Sequence, residues 1–409
     1  MVVKKRILYL FVVFFLADHC LWLVNSSSQS VTNELCWLLI LLMFFGRFGK
    51  NLFHSISNRN EYIFTNEVLF VFVLAVASSL QAYLIHGQSL IQGILPQRFM
   101  VVGFLLYYVL VNYMNCKQDA ITAVKKLFAI IGYMELLLYI TQYFLIGKIQ
   151  FLQMNYSYRL GEVRMNFDSV AVPFVVLMSV DNIYKEKRAS WKDILSIVAG
   201  FFYSFVVAKT RIVLVAYIVA LVGGYLAWRK GGRKKFYIFF ALVAMVLFLS
   251  QTELFSYMLD GLNNIDLSAQ TRTLGREYYL SRIKEHPFLG AGYLNMNNAT
   301  AMEYSGMNSI STGGIYWVDL GVYGLTFFFG IIGLIWFLIL YGKMTLKSYR
   351  IAQNGNLTYW MYMLYLIVLS PNGTGFIWYI SCTVSFIVWL SLIDGEYKKY
   401  EGVQNIESR

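Results

Sequence analysis

Long apolar runs, separated by short polar segments that are mostly basic, set the pattern of this chain. The first run, residues 7–24, follows Lys4, Lys5 and Arg6 and carries Asp18 and His19 near its end; no small-x-small cleavage site follows, so it reads as a retained helix. Runs of the length that crosses a hydrocarbon core, about 17–25 residues, follow near 33–48, 67–85, 99–115, 126–146, 167–184, 191–208, 211–228, 235–251 and 312–341. The last apolar block, 357–393, is too long for one crossing. It carries Pro371-Asn-Gly-Thr-Gly375 at its middle, so it divides into a tight helical hairpin. The pattern predicts an all-α polytopic membrane protein of about twelve transmembrane helices.

Residues 251–311 break this pattern, being too polar to sit in a bilayer. The chain therefore divides into 1–250, with the first nine helices and short loops; 251–311, a large loop between helices 9 and 10; and 312–409, with the last three helices and a polar tail. Within the loop, from Thr273 to His286, Leu274, Tyr278, Tyr279 and Ile283 share one side at helical spacing while Arg276, Arg282 and Lys284 project elsewhere. This predicts a short amphipathic helix at the membrane surface. Pro287 ends it.

Composition agrees with hydropathy, since a chain that is 58% hydrophobic and 14% charged lies outside the soluble globular range. Its four cysteines have no paired spacing and its four histidines are far apart, so the pattern supports neither a disulfide framework nor a metal cluster. No metal and no cofactor are expected. A formal charge of +12 would raise the question of nucleic acid in a soluble protein. Here the basic residues sit between apolar spans, where anionic lipid headgroups and topology account for them, so membrane lipids rather than nucleic acid are the expected partner.

With the N-terminus inside, the inner segments hold 24 Lys and Arg and the outer ones ten. That asymmetry predicts a multi-pass cell-membrane protein with both termini cytoplasmic and the long loop outside. Outside, seven of the ten are Arg; inside, eight of the 24 are. The planar guanidinium fork matches phosphate, whereas generic positive charge needs only Lys, so the outer arginines read as selected for a ligand. They come from three outer segments: Arg159 and Arg164 from 148–168, Lys209 and Arg211 from the next turn, and Arg272, Arg276 and Arg282 from the long loop. Tyr156, Tyr158, Tyr278, Tyr279, Tyr293, Tyr304, Tyr316 and Trp317 accompany them, as an interfacial aromatic belt does. Flat rings with polar tips beside an anionic site also suit sugars.

Three of these features resemble the superfamily of O-antigen ligases and Wzy-type polysaccharide polymerases. They are Lys209-Thr-Arg211 opening an apolar helix; Arg272 ahead of His286-Pro-Phe-Leu-Gly-Ala-Gly292; and Gly314-Ile-Tyr-Trp-Val-Asp-Leu-Gly-Val-Tyr-Gly324 at the entry to the next helix. The resemblance spans about a third of the chain. It implies a GT-C-like membrane fold that binds an undecaprenyl-diphosphate-linked glycan, as donor and as acceptor, and transfers the sugar chain. A chain-length regulator protein is a further partner it implies. One position departs: the ligases commonly have a His about nine residues before the acidic position occupied here by Asp319, and this chain has Ile310. The departure favours polymerase over ligase.

In the implied reaction a sugar hydroxyl attacks the anomeric carbon of the growing chain and undecaprenyl diphosphate leaves. Fixed guanidinium groups would stabilise the charge growing on the leaving group, and Arg211, Arg272 and Arg276 are the candidates. Arg159, Arg164, Lys209, Arg282, Tyr278, Tyr279, Asp319 and His286 are expected to bind substrate. A base could come from Glu277, Asp319, Glu162 or His286, which the residues alone do not separate; for His286, beside Pro287, a turn-forming role is the stronger reading. A flippase or other transporter is the rival from another class. Such proteins place ionisable groups at mid-membrane, whereas Asp18, Glu135 and Asp181 lie alone or toward span ends and the polar investment is in the outer loop.

Overall fold

A computed structural model of the chain describes residues 2–48, 62–116, 119–154, 156–159, 162–165, 170–186, 190–228, 267–306, 315–371 and 373–407. Helix α1, Val2–Ala17, ends at Asp18 and passes through a left-handed turn, α2 (His19–Trp22), into α3 (Ser26–Phe48). Helix α4, Thr65–His86, stops at Gly87, which takes φ 62 as helix-ending glycines do. Ser89 and Gln92 then form a reciprocal capping box that starts α5, Leu90–Ile94. A 3₁₀ turn leads on into α6, Arg98–Asn115, and α7 spans Ala120–Phe144. Two short strands follow, β1 (Ser157–Arg159) and β2 (Glu162–Arg164), then α8 (Ala171–Lys185), α9 (Trp191–Phe202) with a π turn Tyr203–Val207, and α10 (Arg211–Ala227). The loop contributes α11, Leu267–Glu285, and α12, Ala299–Tyr304. A 3₁₀ turn Trp317–Leu320 introduces α13 (Val322–Gln353); α14 (Leu357–Leu369), α15 (Gly375–Trp378) and α16 (Ile380–Glu407) complete the chain.

Among the described residues, five helices are long and apolar enough to cross a membrane: Ser27–Phe48, Thr65–His86, Leu90–Asn115, Val322–Gln353 and Ile380–Glu401. Ile7–Ala17, Ile212–Ala227 and Leu357–Leu369 are shorter apolar helices. The chain is thus a helical membrane protein. The hairpin at Pro371 lies where the turn chemistry places it, whereas the expected crossing at 235–251 lies outside the described residues. The helix expected at 312–341 begins instead at Val322, because the polypeptide first makes the Trp317–Leu320 turn and reverses at Gly321, φ 50. The expectation of helices alone also misses the β1–β2 hairpin, which pairs Ser157 with Arg164 and Arg159 with Glu162. Strands of three residues carry too short an alternation to register in hydropathy.

Helix α16 is the axis of the bundle, with 89% of its apolar window buried. Trp389 at its centre packs against Phe174, Tyr359 and Tyr362 at ring distances of 5.9, 4.9 and 4.5 Å. Polar side chains then sort the helix ends into two layers. In one, buried Asp394 accepts from Ile63 N at 2.7 Å, from the Tyr107 hydroxyl and from Lys398 at 2.6 Å, while Lys343 reaches Ile63 O and Glu67. Asp181 joins this layer as the cap of α14: its carboxylate accepts from Leu357 N and Thr358 N, each at 3.2 Å, and from the Thr358 hydroxyl at 2.7 Å. A carboxylate there satisfies amides that a helix start leaves without intrahelical partners. The opposite layer holds the Arg98–Glu34 pair, the start of α13 against Ser370, and the loop elements.

Candidate functional site

The loop segment 286–295 builds the frame of the site by inserting between α4 and α13. At Gly330 helix α13 is broken, with φ 63 and ψ −163, leaving backbone groups without intrahelical partners inside an apolar environment where each is costly. The segment supplies them. Ala291 N donates to Phe327 O at 2.7 Å, while Ile331 N and Ile332 N donate to Pro287 O and Phe288 O at 2.8 and 3.3 Å. On the other face Gly292 lies directly on α4: a Cβ there would stand 2.3 Å from Ala82 N and 2.5 Å from Ser78 O. Tyr293 N donates to Ser78 O, Gln88 donates to Tyr293 O, and Asn295 N donates back to Gln88. The Pro-Phe-Leu-Gly-Ala-Gly run is therefore a strap that closes a broken helix. His286 serves it through its carbonyl, which accepts from Gly290 N at 2.9 Å.

Helix α11 packs on α13 above this strap. It begins at Leu267, six residues before the amphipathic stretch expected from Thr273, and it is held by protein rather than resting on the membrane surface alone. Tyr279 is fully buried, stacked on Phe327 at 4.3 Å and 10°, and its hydroxyl donates to Ser305 O. Gly275 lies against Leu320 and Ile315, which brings the helix against the entry to α13. Leu274 and Leu280 stay exposed, so the apolar stripe is divided between protein and surroundings.

The candidate residues fall into separate groups. Arg282 stacks on Tyr304 and Tyr278 at 4.4 and 5.2 Å and pairs with Glu285 at 3.0 Å. The Tyr304 hydroxyl donates to Glu285 at 2.7 Å and, together with Arg282, holds that carboxyl below the usual carboxylate range. Tyr278 donates to Tyr304 O, and His86, unmarked in the sequence, stacks on Tyr304 at 4.7 Å and bonds Ala291 O. This group locks α12 to α11. Arg282, Tyr278 and Tyr279 thus hold the loop together.

Arg276, by contrast, lies with its guanidinium 5.6 Å from the Tyr323 ring. Arg272 is one turn away on the same side of α11, and Asp319 is exposed in the turn that α11 crosses. Beside Arg276 an apolar groove of about 400 Å³ runs between α11 and α13, walled by Leu280, Ile283 and Pro287 and by Tyr323, Thr326, Ile331 and Leu334. A cation next to one wall of an apolar slot suits an amphiphile with an anionic head.

A second group joins two of the three segments that carry the candidate arginines. Arg164 Nε donates to Ala208 O at 2.8 Å and its Nη2 lies 3.5 Å from the Thr210 hydroxyl, while Met165 N donates to Val207 O. The β1–β2 hairpin is therefore fastened to the Ala208–Thr210 turn. Lys209 is buried in that turn with φ 47, and Arg211 is the first residue of α10. The side chains of Arg211, Arg159 and Glu162 lie outside the described residues, as does the whole of Ile310. No family model matches the chain, and no curated protein matches it.

Proposed function

We propose that this protein is a membrane glycosyltransferase that joins oligosaccharide repeats carried on undecaprenyl diphosphate, at the outer face of the cell membrane. The observation that carries this reading is the apolar groove between α11 and α13, one wall of which, Tyr323, has the Arg276 guanidinium 5.6 Å from its ring, an arrangement suited to a polyprenyl chain ending in a diphosphate. Sequence supports it through the arginine-rich outer segments and the resemblance to polysaccharide polymerases. In this reading Arg276, Arg272 and Arg211 draw charge onto the leaving diphosphate. An acceptor sugar hydroxyl attacks the anomeric carbon, the bond to the diphosphate breaks, and the hydroxyl proton passes to a base or to water. Glu285 is an unsuitable base, because its ionised form is stabilised and a general base works best with a pKa near the operating pH.

The reading requires twelve crossings with both termini cytoplasmic and residues 251–311 outside. A reporter fused after Asn297 is expected to behave as extracytoplasmic and one fused after Asn354 as cytoplasmic; the same side for both would overturn the topology. The reaction is tested by loss of the gene. Single repeats should then remain on their usual acceptor while long chains disappear, as read on a gel of surface polysaccharide. Long polymer accumulating on undecaprenyl diphosphate would point to a ligase instead, and lipid-linked repeats trapped on the cytoplasmic side would point to a flippase.

A further inference from the structure

We propose that the cavity between α1, α3 and α6 is a binding site for one anionic phospholipid, separate from the groove beside Arg276 and in the opposite layer. The cavity is about 410 Å³. Leu10, Leu39, Leu42, Met43 and Leu110 line it together with the rings of Tyr9 and Tyr113, so its walls are mainly apolar and favour a hydrocarbon chain leaving water or bulk lipid. At its mouth stand Arg47 and Asn112. Arg47 Nε donates to Asn112 Oδ1 at 2.6 Å, which ties the guanidinium to α6, and the residue is exposed. Among the described residues Arg47 pairs with no carboxylate.

An exposed arginine at a helix end ordinarily snorkels toward headgroups in general. Two features distinguish this one: its guanidinium is tied to a neighbouring helix, and a chain-sized cavity opens beneath it. A fork and an amide beside a slot match a phosphate ester with an acyl chain attached. The sequence adds charge of the same sign nearby, since Lys4, Lys5 and Arg6 precede Tyr9 and Leu10 on α1, and the latter two line the cavity. Basic pockets between helices on the cytoplasmic side are typical sites for anionic lipid headgroups.

The test uses the full chain in detergent micelles, read by native mass spectrometry and thermal unfolding with phosphatidylglycerol, with phosphatidylcholine of the same acyl chains, or with inorganic phosphate alone. Wild type should retain one phosphatidylglycerol and gain thermal stability from it, with little response to the other two. Arg47→Ala should weaken that retention by about fivefold, the worth of one surface cation. Gly46→Leu should weaken it too: Gly46 lines the cavity and a Cβ there meets nothing within 4 Å, so the side chain fills the slot without disturbing the helix. Lys126→Ala, an exposed cation on α7 in the same layer, should retain wild-type binding. Equal binding by Arg47→Ala and wild type, an equal loss in Lys126→Ala, a response to free phosphate alone, or a lipid-free mass of two chains would each overturn the proposal.

Discussion

Gly330→Ala is expected to unfold the half of the protein that the strap holds, seen as a large drop in the thermal midpoint of the detergent-solubilised chain or as loss of monodisperse protein. Gly330 sits at φ 63, ψ −163, a region in which a residue with a side chain is strained by about 1–3 kcal/mol. The added Cβ would also stand 2.2 Å from Phe288 O and 2.6 Å from Gly290 N. Both are backbone atoms, so relief requires the strap to withdraw, with the loss of three hydrogen bonds worth about 1 kcal/mol each. Together these come to about 4–6 kcal/mol, near the lower end of the whole stability of a typical domain, about 5–15 kcal/mol. Gly342→Ala is the control. It lies in the same helix with nothing within 4 Å of its Cβ position, so it should be neutral or gain about 0.5–1 kcal/mol. Equal midpoints for Gly330→Ala and wild type would show that the strap does not hold α13.

Arg276→Lys is expected to lower turnover of a purified lipid-linked repeat by about 100-fold, compared at equal folded protein. Lysine keeps the charge but loses the planar fork and its place over the Tyr323 ring. Arg272→Lys and Arg211→Lys should follow it, as the other two groups assigned to the leaving diphosphate. Arg282→Lys should behave differently. Its guanidinium is taken up by Glu285 and two tyrosine rings, so the change should loosen α12 and lower stability while turnover at folded-protein parity stays within about tenfold. Near-normal turnover in Arg276→Lys would reduce that residue to a helix anchor and remove the main physical support for the proposed chemistry.

These two predictions separate what local pattern reveals from what it hides. Apolar runs, the loop rich in arginine, the stop at Pro287 and the hairpin at Pro371 were all legible along the chain. Each depends on a property of its own segment: the transfer of an apolar run into lipid is nearly additive over its residues, and proline acts on its immediate neighbours. The sequence alone therefore determined a helical membrane protein. It also marked both Arg276 and Arg282 as ligand-facing, the first for the leaving group and the second for substrate binding. The Arg282–Glu285 pair, three residues apart on one helix, is local; only the tertiary structure decided that Arg276 lies over Tyr323 of α13 while Arg282 stacks on Tyr304 of α12, because those rings come from other elements. Gly330 gave no signal either, as glycine is common in membrane helices and its neighbours are apolar. Its role arises from Pro287 and Phe288, more than forty residues earlier, and the strap's second seat on Ser78 and Ala82 is some two hundred residues away. Close packing of backbones so distant in the chain is a property of the assembled helices, which no single segment encodes.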